Sequence, residues 1–378
     1  MRRRSHPAAL LLSIGLLAFP AHAVVIHSGD LLVTDTNGAR VFVVRVADGS
    51  VEALAPRLGV PNLLAAPAGI VQSQSTGAVF VVDNQLDELI RIDPTSGEQA
   101  VVNVIGGTPV SVGSGPWGLA IREQPGATEF WVSARGSHEI RHLVALTGFG
   151  IVSLPVVSNP VLASARGIAL DSEDAVDVLH VARDDGEGYS NVVLSNGGLF
   201  NPLYYEAGIV QPPTDVSPGF PAWDVERAKP QGIESERVYL TLQATQIVLG
   251  IPFCDPANTA VSQYGITDLI PYHHDAIRTD IAPGDGDPLH CPLAVAAAAD
   301  GRLYVTDTLL PAPLGTAARV VRVGPPGVWD TREVVASLPD LQGSLTLPSG
   351  LFVAPEPESL GCGWAALLTC AALAARRR

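Results

Sequence analysis

The residues whose types suggest chemistry concentrate in one irregular stretch in the last third of the chain. Within residues 252–292, histidines and aspartates recur at short intervals, and His290 lies beside Cys291. Carboxylate oxygens and imidazole nitrogens suit a hard or borderline divalent cation such as calcium or zinc. The metal-ligand candidates are His273, His274, Asp275, Asp285 and Asp287.

The spacing of these candidates matches no established ligand motif. Asp285-Gly286-Asp287 resembles part of a calcium-binding loop but lacks the glutamate and the further acids. We therefore favour a disulfide-stapled surface loop with polar turn residues, and keep a divalent-cation site as the alternative. The sequence also lacks a G-x-S-x-G elbow, an H-E-x-x-H motif and a phosphate-cradling loop.

The cysteines fall into two pairs by location. Cys362 and Cys370 lie in an apolar segment at the carboxyl end, whereas Cys254 and Cys291 lie in the body of the chain. In an oxidising compartment we expect Cys254 and Cys291 to form a disulfide. Two free thiols are the alternative.

The elements that must position these residues form a repeat. Each unit opens with glycine among apolar residues, as in P-A-G-I-V, P-W-G-L-A-I and A-R-G-I-A-L, and continues with two further apolar strands. The opening glycines Gly69, Gly118 and Gly167 are separated by 49 residues each. Equal spacing of this size indicates a repeat architecture.

The second strand of each unit is equally regular. Its six copies are residues 31–35, 79–83, 129–133, 178–182, 238–242 and 303–307, each followed by a third apolar run. Three copies end in Asp35, Asp83 and Asp307, which we expect to accept backbone N–H bonds from the following turn. Short alternating strands between Gly, Pro, Asp and Asn turns predict an all-β fold without long helices.

A single unit cannot bury both faces of its own sheet, so neighbouring units must cover one another. Six such units predict a single six-bladed β-propeller. The first unit lacks a glycine opener, and the missing opener is found at residues 347–355. We expect this segment to pair with the earliest strand and close the ring. An open solenoid, and a seventh blade within residues 219–290, are the alternatives.

At family level the units resemble the repeats of NHL-type and SMP-30-type propellers. The resemblance lies in openers such as P-W-G-L-A-I and in strands such as V-T-D-T-N-G-A-R-V-F-V-V. SMP-30-like relatives imply carboxylates and an asparagine around a metal, and virginiamycin-lyase-like propellers imply histidines from neighbouring blades. His138, His142 and His180 lie in adjacent units, but without a flanking motif we interpret them as structural.

The amino terminus has the features of a secretory signal peptide. Three arginines precede an apolar run of residues 8–19, and Ala21-His22-Ala23 provides a small-x-small cleavage site. We expect cleavage by signal peptidase at Ala23. The apolar run is shorter than the ~20 residues that span a bilayer, so an uncleaved membrane anchor is the less favoured alternative.

At the carboxyl terminus, Pro355-Glu356-Pro357 is followed by a short apolar segment and three terminal arginines. These features resemble the PEP-CTERM sorting tail of Gram-negative bacteria. The resemblance implies processing by an exosortase-type protease after transient membrane contact through the apolar helix. A plain tail anchor is the alternative. The expected organisation is a signal peptide at 1–23, a propeller at 24–354 with an insert loop at about 252–292, and a sorting tail at 355–378.

The net charge of the chain limits the classes of partner that we expect it to bind. Residues 24–358 carry 17 basic and 38 acidic residues, a net charge of −21, so we expect no nucleic-acid partner. We expect an exported, non-enzymatic binding or scaffold protein that acts in the periplasm, at the cell surface or in the extracellular matrix of a Gram-negative bacterium. Its expected partner is an envelope or exopolysaccharide component. The alternative is a metal-dependent hydrolase or lyase of the SMP-30 or virginiamycin-lyase type.

Overall fold

The computed structural model describes most of the first half of the chain and shorter segments of the second half. The described residues are 23–104, 107–146, 150–171, 177–184, 188–195, 206–210, 222–228, 237–242, 245–248, 251–254, 260–265, 278–280, 289–298, 300–308, 318–324, 332–338 and 347–355.

Apolar and β-branched runs between turn residues form strands throughout these segments. The strands make six four-stranded antiparallel sheets and one two-stranded hairpin. The described residues contain one 3-10 helix, Pro160–Ser164. Among them, no helix has the length and apolar character needed to cross a membrane. The predicted all-β class is confirmed.

The sheets are numbered I to VI along the chain. Sheet I consists of β26 (Pro348–Val353), β1 (Leu31–Asp35), β2 (Arg40–Val44) and β3 (Val51–Ala55). Sheet II consists of β4 (Pro67–Gln72), β5 (Val79–Asp83), β6 (Glu88–Ile92) and β7 (Gln99–Val101). Sheet III consists of β8 (Pro116–Gln124), β9 (Ala127–Ala134), β10 (Glu139–Leu146) and β11 (Gly150–Ser158).

The remaining sheets follow the same order. Sheet IV consists of β12 (Ala165–Asp171), β13 (Asp177–Arg183), β14 (Gly188–Ser195) and β15 (Glu206–Val210). Sheet V consists of β16 (Ala222–Ala228), β17 (Arg237–Leu242), β20 (Ala260–Gly265) and β21 (Arg278–Asp280). Sheet VI consists of β22 (Pro292–Ala297), β23 (Leu303–Thr308), β24 (Ala318–Val323) and β25 (Arg332–Leu338). The hairpin consists of β18 (Thr245–Val248) and β19 (Ile251–Cys254).

The first strand of each sheet lies against the first strands of two other sheets. The successive contacts are β26 with β4, β4 with β8, β8 with β12, β12 with β16, β16 with β22, and β22 with β26. These six strands line a shared central cavity of about 180 Å³. Such neighbouring antiparallel sheets around a cavity are consistent with the expected β-propeller.

The first strand of sheet I comes from the opposite end of the chain. β26 pairs antiparallel with β1, with Leu31 opposite Val353 and Val33 opposite Leu351. Beyond the strands, the N–H of Gly29 donates to the carbonyl of Ala354 at 3.0 Å. The carboxyl-terminal strand of the propeller therefore lies beside its earliest strand.

The hydrophobic core lies between adjacent sheets. One cluster joins sheets I and II through side chains such as Leu32 and Ile90, and another joins sheets III and IV through Trp131 and Leu179. Removing a Leu, Ile or Val side chain of this kind from water stabilises the fold by roughly 1.5–3 kcal/mol. Each sheet thus depends on its neighbours for burial.

Two expectations about the fifth unit are wrong. The apolar run at 246–251, which follows the second strand of this unit, was expected to form its third strand. Residues 246–248 instead lie in β18 and Ile251 begins β19, whereas β20 pairs with β17. The expected insert loop at about 252–292 also contains β20 and β21 of sheet V. Alternating apolar residues specify a strand but do not specify its pairing partner, which explains both errors.

Candidate functional site

At one rim of the central cavity, the first strands of the sheets begin and the second strands end. Antiparallel pairing brings Pro67 opposite Asp83, Pro116 opposite Ala134, and Ala165 opposite Arg183. We call this edge the upper rim. The opposite edge, where Leu31 pairs with Val353, is the lower rim.

The upper rim carries an aromatic ring stacked with a guanidinium group. Trp117 and Arg166 are each the second residue of a first strand, in β8 and β12 respectively. The guanidinium carbon of Arg166 lies 4.1 Å from the centroid of the Trp117 ring. Trp117 lines the central cavity, is half-buried, and packs against the hydrophobic cluster between sheets II and III. A cation over a tryptophan face is an attractive pair.

A carboxylate fixes this guanidinium and joins it to a second one. The Nε of Arg166 donates to Oδ2 of Asp184 at 2.8 Å, and its Nη2 lies 2.7 Å from the same oxygen. The Nη2 of Arg135 lies 3.0 Å from that oxygen as well. We call Trp117, Arg135, Arg166 and Asp184 the mouth cluster.

The members of the mouth cluster differ in exposure. The Arg166 side chain is 8% exposed, that of Asp184 14%, and that of Arg135 39%. Burial, together with the like charge of Arg135, lowers the pKa of Arg166 to about 10, against the opposing effect of Asp184. Arg166 remains a cation at neutral pH. The like charge of Arg135 disfavours the charged form of Arg166.

The backbone beneath the cluster is held by a hydroxyl and a close approach of strands. Ser133 accepts a hydrogen bond from the N–H of Gly118 at 2.8 Å and donates to the carbonyl of Arg166 at 2.5 Å. A Cβ on Gly118 would lie 2.5 Å from that carbonyl oxygen, so only glycine permits the approach. The positions of Trp117 and Arg166 are therefore coupled through rigid backbone.

The predicted metal-ligand candidates lie elsewhere in the chain. His273, His274, Asp275, Asp285 and Asp287 are outside the described residues. Among the residues that the structure does describe, no three His, Cys, Asp or Glu side chains converge to hold a metal ion.

The predicted disulfide and processing residues are described only in part. Cys291 is disulfide-bonded, and the backbone of Cys254 ends β19, although its side chain is outside the described set. Ala23 and Pro355 lie at the edges of the described chain, and Glu356 and Pro357 lie beyond it.

Asp35 and Asp83 have the structural role predicted for them, whereas Asp307 accepts N–H groups that precede β22 rather than groups of the following turn. The carboxylate of Asp83 accepts the N–H groups of Gln85 and Leu86 in the following turn, and those of Ala65 and Ala66 before β4. Asp35 and Asp307 are also fully buried and accept backbone N–H groups. These carboxylates organise the upper rim.

The three histidines do not come together at the cavity. His138 lies in the turn between β9 and β10 with a φ of 56°. His142 is buried inside sheet III, stacked on Trp131 with ring centroids 4.7 Å apart, and its Nε2 lies 3.0 Å from Oε2 of Glu129. His180 is buried in β13.

Sequence reasoning missed the mouth cluster, although the repeat contains its signal. Trp117 and Arg166 are 49 residues apart, as are Arg135 and Asp184, so each pair occupies one repeat position in consecutive units. The residue before the opening glycine differs between units, whereas the glycine itself is retained. A position that varies in this way on a constant backbone is a candidate for a binding role. Comparing units at that position would have identified the cluster.

Comparison with known proteins identifies the fold of the chain. No family model matches the sequence, and no curated protein matches it significantly. A chain of a nidogen–laminin complex covers 86% of this chain and 99% of its own length, at 12% identity and a TM-score of 0.51. The chain has a β-propeller fold.

Two further solved structures are similar over most of the chain. A protein of unknown function from Bacteroides caccae covers 86% of this chain and 98% of its own, at 10% identity and a TM-score of 0.49. A virginiamycin B lyase from Staphylococcus aureus covers 82% and 85%, at 14% identity and a TM-score of 0.43. At these identities the similarities describe architecture and assign no site residue.

Proposed function

We propose that the chain is an exported β-propeller that binds an envelope or exopolysaccharide component at its upper rim, without catalysing a reaction. The observation that carries this proposal is the stacked pair of Trp117 and Arg166, fixed by Asp184 beside the central cavity. Rigid scaffolds that present a few oriented side chains at a concave opening are typical of binding sites.

The chemistry of the pair suits a sugar. A tryptophan face offers a large apolar surface at low entropic cost, and sugar rings present apolar C–H faces between their hydroxyl groups. A fixed guanidinium supplies hydrogen-bond donors at the edge of that surface. The central cavity below is too small for a polymer at about 180 Å³, so the ligand would lie across the opening.

The proposal includes a closed ring of six blades, one for each four-stranded sheet. The cyclic succession of first-strand contacts and the pairing of β26 with β1 support it. A closed ring protects the edges of its sheets and holds the rim residues at fixed separations. Such rigidity favours binding by reducing the entropy lost on complex formation.

The proposal also includes export and sorting. It assigns signal-peptide cleavage to Ala23, exosortase-type processing to the segment that begins with Pro355-Glu356-Pro357, and a final location at the surface or in the matrix of a Gram-negative cell. The disulfide at Cys291 supports an oxidising compartment, and we assign Cys254 as its partner. The strands begin soon after Ala23 and end just before Pro355, so both cuts would spare the sheets.

Binding to an array of bacterial surface glycans tests this function. For the purified full-length chain, we expect Trp117→Ala to weaken glycan binding at least tenfold, equivalent to about 1.4 kcal/mol, because it removes the stacking surface. Trp117→Phe should retain most of the affinity. Val334→Ala, at an exposed apolar side chain on β25, is the matched control and should leave binding unchanged. Absence of any glycan ligand for the wild-type chain would overturn the proposal, and turnover of lactones would favour the metal-dependent hydrolase instead.

A further inference from the structure

A second feature of the mouth cluster bears on the class of sugar. Arg135 is anchored at two of its three guanidinium nitrogens. Nε donates to the carbonyl of Ala163 at 3.1 Å, and Nη2 lies 3.0 Å from Oδ2 of Asp184. Nη1 has no partner among the described residues, and the side chain is 39% exposed. The guanidinium is thus oriented by the protein while one edge stays accessible.

We infer that the mouth cluster recognises the carboxylate of a uronic acid within a polysaccharide. This inference rests on the proposed function, because it specifies the sugar that the same site binds. The sugar ring would pack on Trp117, and its carboxylate would accept hydrogen bonds from the accessible edge of Arg135. Guanidinium groups match planar carboxylates in geometry and form charge-assisted hydrogen bonds with them.

The electrostatics of the cluster favour an incoming anion. Two guanidinium groups meet at Asp184, and the charge of Arg135 is one cause of the lowered pKa of Arg166. A ligand carboxylate beside Arg135 offsets that repulsion. A neutral sugar cannot offset it.

Two other acidic groups of the upper rim, among the residues that the structure describes, already have partners. Oδ1 of Asp87 accepts the N–H of Gly115 at 2.7 Å, and Oε1 of Glu139 lies 2.8 Å from Nη2 of Arg141. Asp184 is itself bound by Arg166 and Arg135. Because of these contacts, the carboxylates do not compete with a bound ligand for Arg135.

The discriminating ligands are tetragalacturonate and its fully methyl-esterified form, which share one sugar backbone and differ in charge. We expect the wild-type full-length chain to bind the acid at least tenfold more tightly than the ester in calorimetry. Arg135→Gln should abolish that preference, and Arg135→Lys should retain part of it because the charge is kept. Arg302→Gln, at a 42% exposed arginine in an ion pair on the lower rim, is the matched control and should retain the preference in full.

Each outcome separates this inference from the proposed function. Equal, Trp117-dependent binding of acid and ester overturns the inference and leaves glycan binding intact. Preference for a sulfated tetrasaccharide over tetragalacturonate, or failure of both galacturonate forms to bind while the array shows other ligands, also overturns it. Loss of all glycan binding on the array overturns the proposed function itself. Thermal unfolding of Arg135→Gln and Arg135→Lys shows whether each variant is folded, and a folded Arg135→Gln that keeps the preference contradicts the inference.

Discussion

At the scale of single residues, the described charged groups act mainly by organising the fold. Glu129 in sheet III is almost fully buried and accepts hydrogen bonds from Nη2 of Arg122 at 2.9 Å and from His142 at 3.0 Å. The guanidinium of Arg122 also lies over the ring of Trp131, which in turn stacks on His142. Burial raises the pKa of Glu129, but the hydrogen bonds from His142 and Arg122 outweigh it and hold the pKa below its ordinary value of 4.5.

A lowered carboxyl pKa makes a specific prediction about acid stability. The stabilisation by ionised Glu129 is fully present above pH 4.5 and is lost as the pH falls through the lower pKa of the folded state. At pH 7, Glu129→Gln should reduce the free energy of unfolding by about 3 kcal/mol, because it leaves a buried guanidinium without its counter-ion. Urea unfolding should show this difference narrowing below pH 4.5. Glu52→Gln, at a carboxylate that is 45% exposed, should change stability by less than about 0.5 kcal/mol at either pH. A Glu129→Gln deficit that stays constant from pH 7 to pH 3.5 contradicts this assignment.

Residue roles were the least predictable level from sequence. The buried roles of Asp35 and Asp83 followed from their places at strand ends, because turns after strands leave backbone N–H groups that need acceptors. The mouth cluster could not be predicted from positions within single strands. Its residues come from two sheets, and only the close approach of β8 and β12 shows that they meet.

At the scale of elements, the repeated glycines record how closely the first strands approach. A Cβ on Gly69 would lie 2.6 Å from the carbonyl oxygen of Trp117, and one on Gly350 would lie 2.2 Å from that of Ala68. Hydroxyl groups of the second strands span the same junctions: Thr34 donates to Ala68 at 2.6 Å, and Thr306 donates to Pro348 at 2.7 Å. Glycine at these junctions is therefore a packing requirement of neighbouring sheets.

Substitution at one of these glycines tests the requirement. Gly118→Ala should lower the free energy of unfolding by at least about 2 kcal/mol, because its Cβ would collide with the backbone of β12. Gly77→Ala is the comparison, since it has a φ of 70° and no atom within 4 Å of its Cβ position. That change should cost about 1 kcal/mol through backbone strain alone. Urea denaturation of both variants decides the matter, and equal losses would refute close packing at Gly118.

Elements were predictable where the repeat was regular and unpredictable where it was interrupted. All six second strands predicted from alternation are second strands of their sheets. After the second strand of sheet V, residues 246–248 met the same criterion, but they lie in β18, which pairs with β19 outside that sheet. Local pattern determines that a segment is extended, whereas its partner depends on competition with distant strands.

At the scale of the whole molecule, the fold depends on a strand that is almost the last part of the propeller to be synthesised. β26 supplies the first strand of sheet I, and its contacts reach β4 on one side and β22 on the other. Thr34 and Thr36 of sheet I, together with Ser349 of β26 and the carbonyl of Pro67, form a hydroxyl network across the same junction. The missing opener in the first unit predicted this pairing because an unpartnered β1 would leave an exposed sheet edge.

Two truncations test whether the fold requires this strand. A chain that ends after Pro355 keeps β26 and should retain a single cooperative transition in urea, because every described sheet stays complete. A chain that ends after Thr346 lacks β26, exposes the edge of β1 and removes apolar side chains such as Leu351 from the contact with sheet VI. We expect the shorter chain to unfold at lower urea concentration and to aggregate through that edge. Amide exchange should locate the loss of protection in β1 and β4 first. If both truncations unfold at the same midpoint with the same protection in β1, the sheets do not rely on β26, and an open array of blades becomes the better description.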